Sequence, residues 1–126
     1  MKVTNLVAAA ALAAAAAGPS LSQDNPGKAG YEAHCAVCHQ YDGGGVPFMQ
    51  PELFARPRAN GPKGGVIDMI MLGSKAPGAG QGEYSNEMPG FDFLSNEEIA
   101  AIATYVRTNF ENNGGPVTAD DVKSRR

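Results

Sequence analysis

HCAVCHQ, residues His34 to Gln40, gathers every histidine and both cysteines of a 126-residue chain into one short stretch. Four potential metal ligands within six positions admit few explanations. A structural zinc site takes four ligands, commonly as two separated pairs. Here no second cluster exists, and the adjacent Cys38 and His39 cannot both face one small tetrahedral centre without strain. A thioredoxin-like dithiol belongs in a βαβ context, and no alternating strand pattern of useful length is present. A Cys35–Cys38 disulfide would close almost no loop and so would add little stability.

Working outward, Met1 and Lys2 form a short positive start, and residues 6–17 are almost entirely alanine with Leu6, Val7 and Leu12 interspersed. That run is shorter than the roughly 20 apolar residues that span a bilayer. Small residues follow it and polar ones begin at Gln23, so residues 1–22 read as a secretory signal peptide, cleaved after Ala17 or Ser22. The expected mature domain is 23–126, exported to the periplasm and without a transmembrane segment. The chain's 10 basic and 13 acidic residues make it mildly acidic. It has no basic stripe for nucleic acid and no polybasic tail for anionic lipid.

A small domain with 16 glycines, 9 prolines and no tryptophan buries little apolar surface unaided and needs a staple. Asn25 and Pro26 offer an N-cap and a first helical residue, predicting a helix over 27–37 that carries Tyr31 and leads into Cys35. A proline-punctuated loop follows through Pro47, Pro51, Pro57 and Pro62. Residues 66–72 are apolar apart from Asp68, with Gly73 placed to end a short helix. Ser95 and Glu98 form a capping box, flanked by Leu94 and Ile99 as a hydrophobic staple. Ile99, Ile102, Ala103, Val106 and Phe110 then mark one apolar helical face, expected to end at Gly114, Gly115 and Pro116. Thr118 could start a last short helix. The pattern predicts an all-α chain with long loops.

The remaining reading of the opening stretch is Cys-X-X-Cys-His, a c-type haem attachment. On a helical turn Cys35 and Cys38 lie one above the other, each able to form a thioether to a haem vinyl. His39 falls on the same side as an axial ligand. A large, flat, covalently held apolar cofactor would supply the missing staple. His34 points elsewhere on the helix and reads as a partly exposed bystander. A second axial ligand must come from farther along, and methionine is the natural choice. Met69 and Met71 sit in an apolar helix, where methionine packs. Met88 lies in Met-Pro-Gly-Phe within a long loop. There Pro89 favours an extended backbone and Gly90 allows the main chain close to a flat cofactor. Met49 is the runner-up.

With these residues the chain resembles the small class I c-type cytochromes, from Gly27 to about Phe110. Cys35-Ala36-Val37-Cys38-His39 matches the haem motif, and Met88-Pro89-Gly90-Phe91 looks like the distal methionine loop. Gly27 and Tyr31 match the N-terminal helix, and Ile102, Tyr105 and Val106 match the C-terminal helix that crosses it. The resemblance implies three to five short helices wrapped around one covalent haem c. It also implies close approach of Gly27 to the Tyr105 side. A proline carbonyl is implied against the other nitrogen of His39, at Pro51, with Pro47 as the alternative. The implied role is single-electron transfer, not catalysis, between a dehydrogenase or membrane complex and a terminal oxidase or reductase. Contacts with redox partners would be transient. The protein would act as a monomer or as a subunit of a dehydrogenase complex. A haem enzyme or small-ligand sensor with an open distal site is the competing expectation.

Overall fold

The computed structural model describes residues 25–80 and 82–126, so the expected signal peptide at 1–22 lies outside the described residues. Six α-helices are present among them, and the only strand-like feature is an isolated bridge between Val46 and Gln50. No helix among the described residues is long and apolar enough to cross a membrane.

Helix α1 (Pro26–His34) begins where Asn25 accepts from the amides of Gly27 and Lys28 at 3.0 and 3.1 Å. It does not run on to residue 37. Cys35, at φ −113°, breaks the helical path, and α2 (Ala36–His39) starts afresh, with the amides of Cys38 and His39 both donating to the Cys35 carbonyl. This split raises the helix count above the three to five expected. So does α3 (Pro57–Asn60), in which Pro57 occupies the first turn. A proline that reads as a loop marker thus starts a helix, because the first-turn position has no amide to lose.

Helix α4 (Lys63–Leu72) starts three residues earlier than its apolar stretch and buries Val66, Ile67, Ile70 and Met71. Gly73, at φ +58°, ends it and opens a 3₁₀ turn to Lys75. Helix α5 (Asn96–Thr108) has both capping-box bonds in place, Glu98 amide to Ser95 Oγ at 3.1 Å and Ser95 amide to Glu98 Oε2 at 2.8 Å. Leu94 and Ile99, the expected staple, are both buried.

The apolar face of α5 holds Ile99, Ile102, Ala103 and Val106, but the helix stops at Thr108 rather than at Gly114. Its last carbonyls are captured early: Asn109 Nδ2 donates to Tyr105, Asn112 Nδ2 to Val106 and the Gly114 amide to Arg107. Side chains and a returning backbone thereby satisfy the acceptors that another turn would have used. Phe110, expected on the helix, instead sits beyond it at φ +53° and packs on Tyr31 and Tyr105, at ring separations of 5.1 and 5.6 Å.

Helix α1 crosses α5 with Gly27 at the contact, where a Cβ would lie 2.3 Å from the Ala101 carbonyl oxygen and 3.0 Å from Tyr105 Cβ. The other side of α5 packs on α4 and on α6 (Ala119–Lys123), whose Val122 is fully buried. The segment joining α5 to α6 is tied back tightly. Thr104 Oγ1 donates to the Val117 carbonyl and accepts from its amide. Arg107, only 3% exposed, donates to the carbonyls of Gly61, Gly114 and Gly115. Buried Asn112 ties residues 53–60 to α5 through four partners. It donates to Leu53 and Val106 and accepts from the Arg56 amide and from Asn60 Nδ2.

Candidate functional site

The turn made by α1, Cys35 and α2 places the motif side chains. Cys35 is buried and Cys38 half-buried, and both are free thiols. Burial, reinforced by the neighbouring Cys38, pushes the Cys35 thiol up to about 11. A redox dithiol works through a thiol whose pKa is lowered, so this environment is wrong for that chemistry. Among the described residues no three His, Cys, Asp or Glu side chains converge to hold a metal ion.

His39 is buried, and its Nδ1 lies 2.9 Å from the Pro51 carbonyl oxygen. A carbonyl can only accept, so Nδ1 carries the proton and Nε2 keeps its lone pair. Burial lowers the His39 pKa against the opposing pull of the Pro51 carbonyl, holding the ring neutral and able to ligate. The backbone is shaped for this contact. Gly45, whose amide donates to the His39 carbonyl at 2.9 Å, sits at φ +62°, and a Cβ there would lie 2.6 Å from the Pro51 carbonyl. Pro47 is exposed, and the His39 ring bonds to Pro51 instead.

Met88 is half-buried in the loop before α5. Its amide donates to Ser74 Oγ at 2.8 Å, and its carbonyl accepts from the Ser74 amide at 2.9 Å. Three residues on, the Phe91 amide donates to the Ile70 carbonyl. Residues 88–91 are therefore laced along the end of α4. Gly90 is needed for close approach, but toward α4: a Cβ there would lie 2.4 Å from the Met71 carbonyl oxygen. Ser74 escaped the sequence reading, because a lone serine in a glycine-rich loop, 14 positions from its partner, carries no local pattern.

The other methionines and the second histidine sort by burial. Met71 is 5% exposed in the core, whereas Met49 is 43% exposed. His34 is half-buried, its ring 5.8 Å from that of Phe91. A cleft of about 390 Å³ lined by Phe48, Gln50, Glu52, Arg56 and Tyr84, among others, includes neither His39 nor Met88. The donor set of neutral imidazole, thioether sulfur and two unpaired thiols fits a covalently tethered haem, and His39 and Met88 are each positioned by main-chain contacts.

Comparison with known proteins agrees in kind. A family model described as Cytochrome c matches residues 25–110. The chain is 35% identical over 105 residues to the cytochrome c subunit of an alcohol dehydrogenase (quinone) from Gluconacetobacter polyoxogenes, covering 80% of this chain and 22% of that protein. The corresponding subunit from Gluconobacter oxydans (strain 621H) is 32% identical over 107 residues, covering 82% and 22%. A fructose dehydrogenase cytochrome subunit from Gluconobacter japonicus is 34% identical over 116 residues, covering 85% and 23%. The chain thus spans less than a quarter of the length of these relatives.

Proposed function

Since the chain belongs to the cytochrome c family, whose domain implies a covalently bound haem c, we propose that it is a one-electron carrier with a single haem held by Cys35 and Cys38. His39 and Met88 would hold its iron, with Pro51 orienting His39. When bound, haem c supplies a one-electron redox couple. The chain's own residues set the conditions. Cys35, capping α2, and Cys38, within it, present two thiols three residues apart for thioether formation. The Pro51 carbonyl fixes the His39 tautomer and ring, as acceptors behind ligating histidines do. A methionine sulfur is soft and neutral, which raises the potential relative to a second imidazole.

The observation that supports this reading most directly is the pairing of a buried, neutral His39 pinned at 2.9 Å to Pro51 with a Met88 main chain held on both sides by Ser74. The relatives bear the names of dehydrogenase cytochrome subunits. That favours a dehydrogenase as electron donor, with the chain acting as a periplasmic carrier or as part of such a complex. Residues 1–22 are its export signal.

Visible spectra of the oxidised and reduced protein, with and without carbon monoxide, test the ligand set. The expected result is a low-spin spectrum indifferent to the gas, with carbon monoxide binding appearing in Met88→Ala. Ready gas binding by the unaltered protein at neutral pH would sink the closed-site reading and favour a haem enzyme or sensor.

A further inference from the structure

Between Ser74 and Met88 the chain makes a long glycine-rich excursion, and its two ends meet at a single residue pair. In an ordinary antiparallel pairing, two residues exchange amide and carbonyl bonds. Here Ser74 gives its amide to the Met88 carbonyl, but the Met88 amide is received by the serine hydroxyl, at 2.8 Å. Both main-chain polar groups of Met88 are therefore held by one residue. The Ser74 hydroxyl is the only side-chain group among the described residues that bonds the Met88 main chain. The approach depends on the residue before it: at Gly73, φ +58°, a Cβ would fall 2.1 Å from the Met88 carbonyl oxygen.

The geometry points to Ser74 as a positioning residue that fixes the Met88 main chain and so keeps its thioether at the iron. This rests on the reading of Met88 as an axial ligand. Among the groups that bond to this loop, the serine acts at the ligand residue itself. The Phe91 amide, bound to the Ile70 carbonyl, acts three residues later and is pure backbone. Without the hydroxyl, the Met88 amide loses its acceptor, and no other side chain among the described residues bonds to it.

The consequence is a shift in a competition. Met88 bound and Met88 released are two states, and an added ligand binds only the second. Its apparent affinity therefore scales with the population of the released state. Removing one hydrogen bond from a half-buried donor shifts such an equilibrium by about tenfold.

The test is an imidazole titration of the oxidised holoprotein, followed by its visible spectrum, with denaturant stability measured alongside. Ser74→Ala is expected to bind imidazole about tenfold more tightly than the unaltered protein. Ser74→Thr, which keeps the acceptor, is expected to return toward the original affinity, and Met88→Ala to exceed them all. Gly73→Ala, which displaces the Met88 carbonyl without touching the hydroxyl, is expected to move in the same direction as Ser74→Ala and replaces it if that variant does not fold. If Met88→Ala tightens imidazole binding while Ser74→Ala, or Gly73→Ala in its place, does not, Ser74 has no positioning role. Lower stability with unchanged affinity would equally rule that role out, as would a threonine variant that binds imidazole as tightly as alanine. If Met88→Ala itself leaves the affinity unchanged, the ligand assignment fails and this inference fails with it.

Discussion

Replacing Gly27 with alanine sets two physical effects against each other. In the first turn of α1 the substitution favours the helix, since glycine costs up to about 1 kcal/mol relative to alanine in a helix interior and less near an end. Against that, the new methyl would stand 2.3 Å from the Ala101 carbonyl oxygen, where ordinary contact begins at 3.4 Å. Backbone cannot rotate aside as a side chain can, so α1 and α5 must separate by about 1 Å. A gap of that size forfeits a quarter to a half of each contact's attraction. The interface it opens includes the Tyr31–Tyr105 pair, with ring centres 5.3 Å apart. Overpacking of this kind costs about 1–3 kcal/mol, so we expect a net loss of about 2 kcal/mol. For a domain of this size that lowers Tm by about 8–16 °C. Denaturant unfolding followed by circular dichroism measures it, with an unchanged slope showing that stability alone has moved. Lys28→Ala, on the exposed side of the same turn, is the control and should stay within about 0.5 kcal/mol of the original. A Gly27→Ala protein as stable as the original would mean that helix propensity wins and that the crossing is not close.

Two further outcomes follow from polar contacts, one buried and one at the surface. Asn112→Ala strips partners from the Leu53 and Val106 carbonyls, the Arg56 amide and Asn60 at once. The expected loss is about 3 kcal/mol in the same unfolding assay, and a change under about 1 kcal/mol would show that water replaces the side chain freely. Arg125 holds the Asp68 carboxyl below its usual value of 3.8, by bonds of 2.6 and 2.5 Å. Because the folded pKa is the lower one, this stabilisation is complete above the unfolded value and drains away as pH falls from there through the folded value. Asp68→Asn should therefore have a flatter stability profile in that acid window, and parallel profiles would refute the linkage.

The parts of the fold that are legible in the sequence are local. The Ser95–Glu98 capping box, its staple and the α5 face are written in neighbouring residues, and so is the Asn25 cap of α1. Gly27 is readable as a contact point only through the family resemblance. What the sequence hides is set by partners far away. Helix α5 stops at Thr108 because Asn109, Asn112 and Gly114 satisfy its last carbonyls, and a helical apolar pattern running to Phe110 cannot announce that. The break at Cys35 is a matter of one dihedral angle, which no composition reveals. At the site, the residue types that matter stand in plain view because cysteine and histidine are so rare in this chain. The hydroxyl behind Met88 does not, since its role exists only once two loop ends are brought together.

The buried Arg107 has a bearing on where this protein can be cut or joined. The family match closes at residue 110, yet two of the three carbonyl acceptors around that guanidinium belong to Gly114 and Gly115. Val117 and Val122 fill core positions from the same stretch. A chain divided at the family boundary would strip two of that guanidinium's three acceptors and uncover the core positions that Val117 and Val122 fill. The smallest transplantable unit therefore extends through α6. Anyone grafting this domain onto another, or comparing its variants across organisms, should weigh Asn112, Val117 and Val122 as interior and the stretch that carries them as more than a dispensable tail.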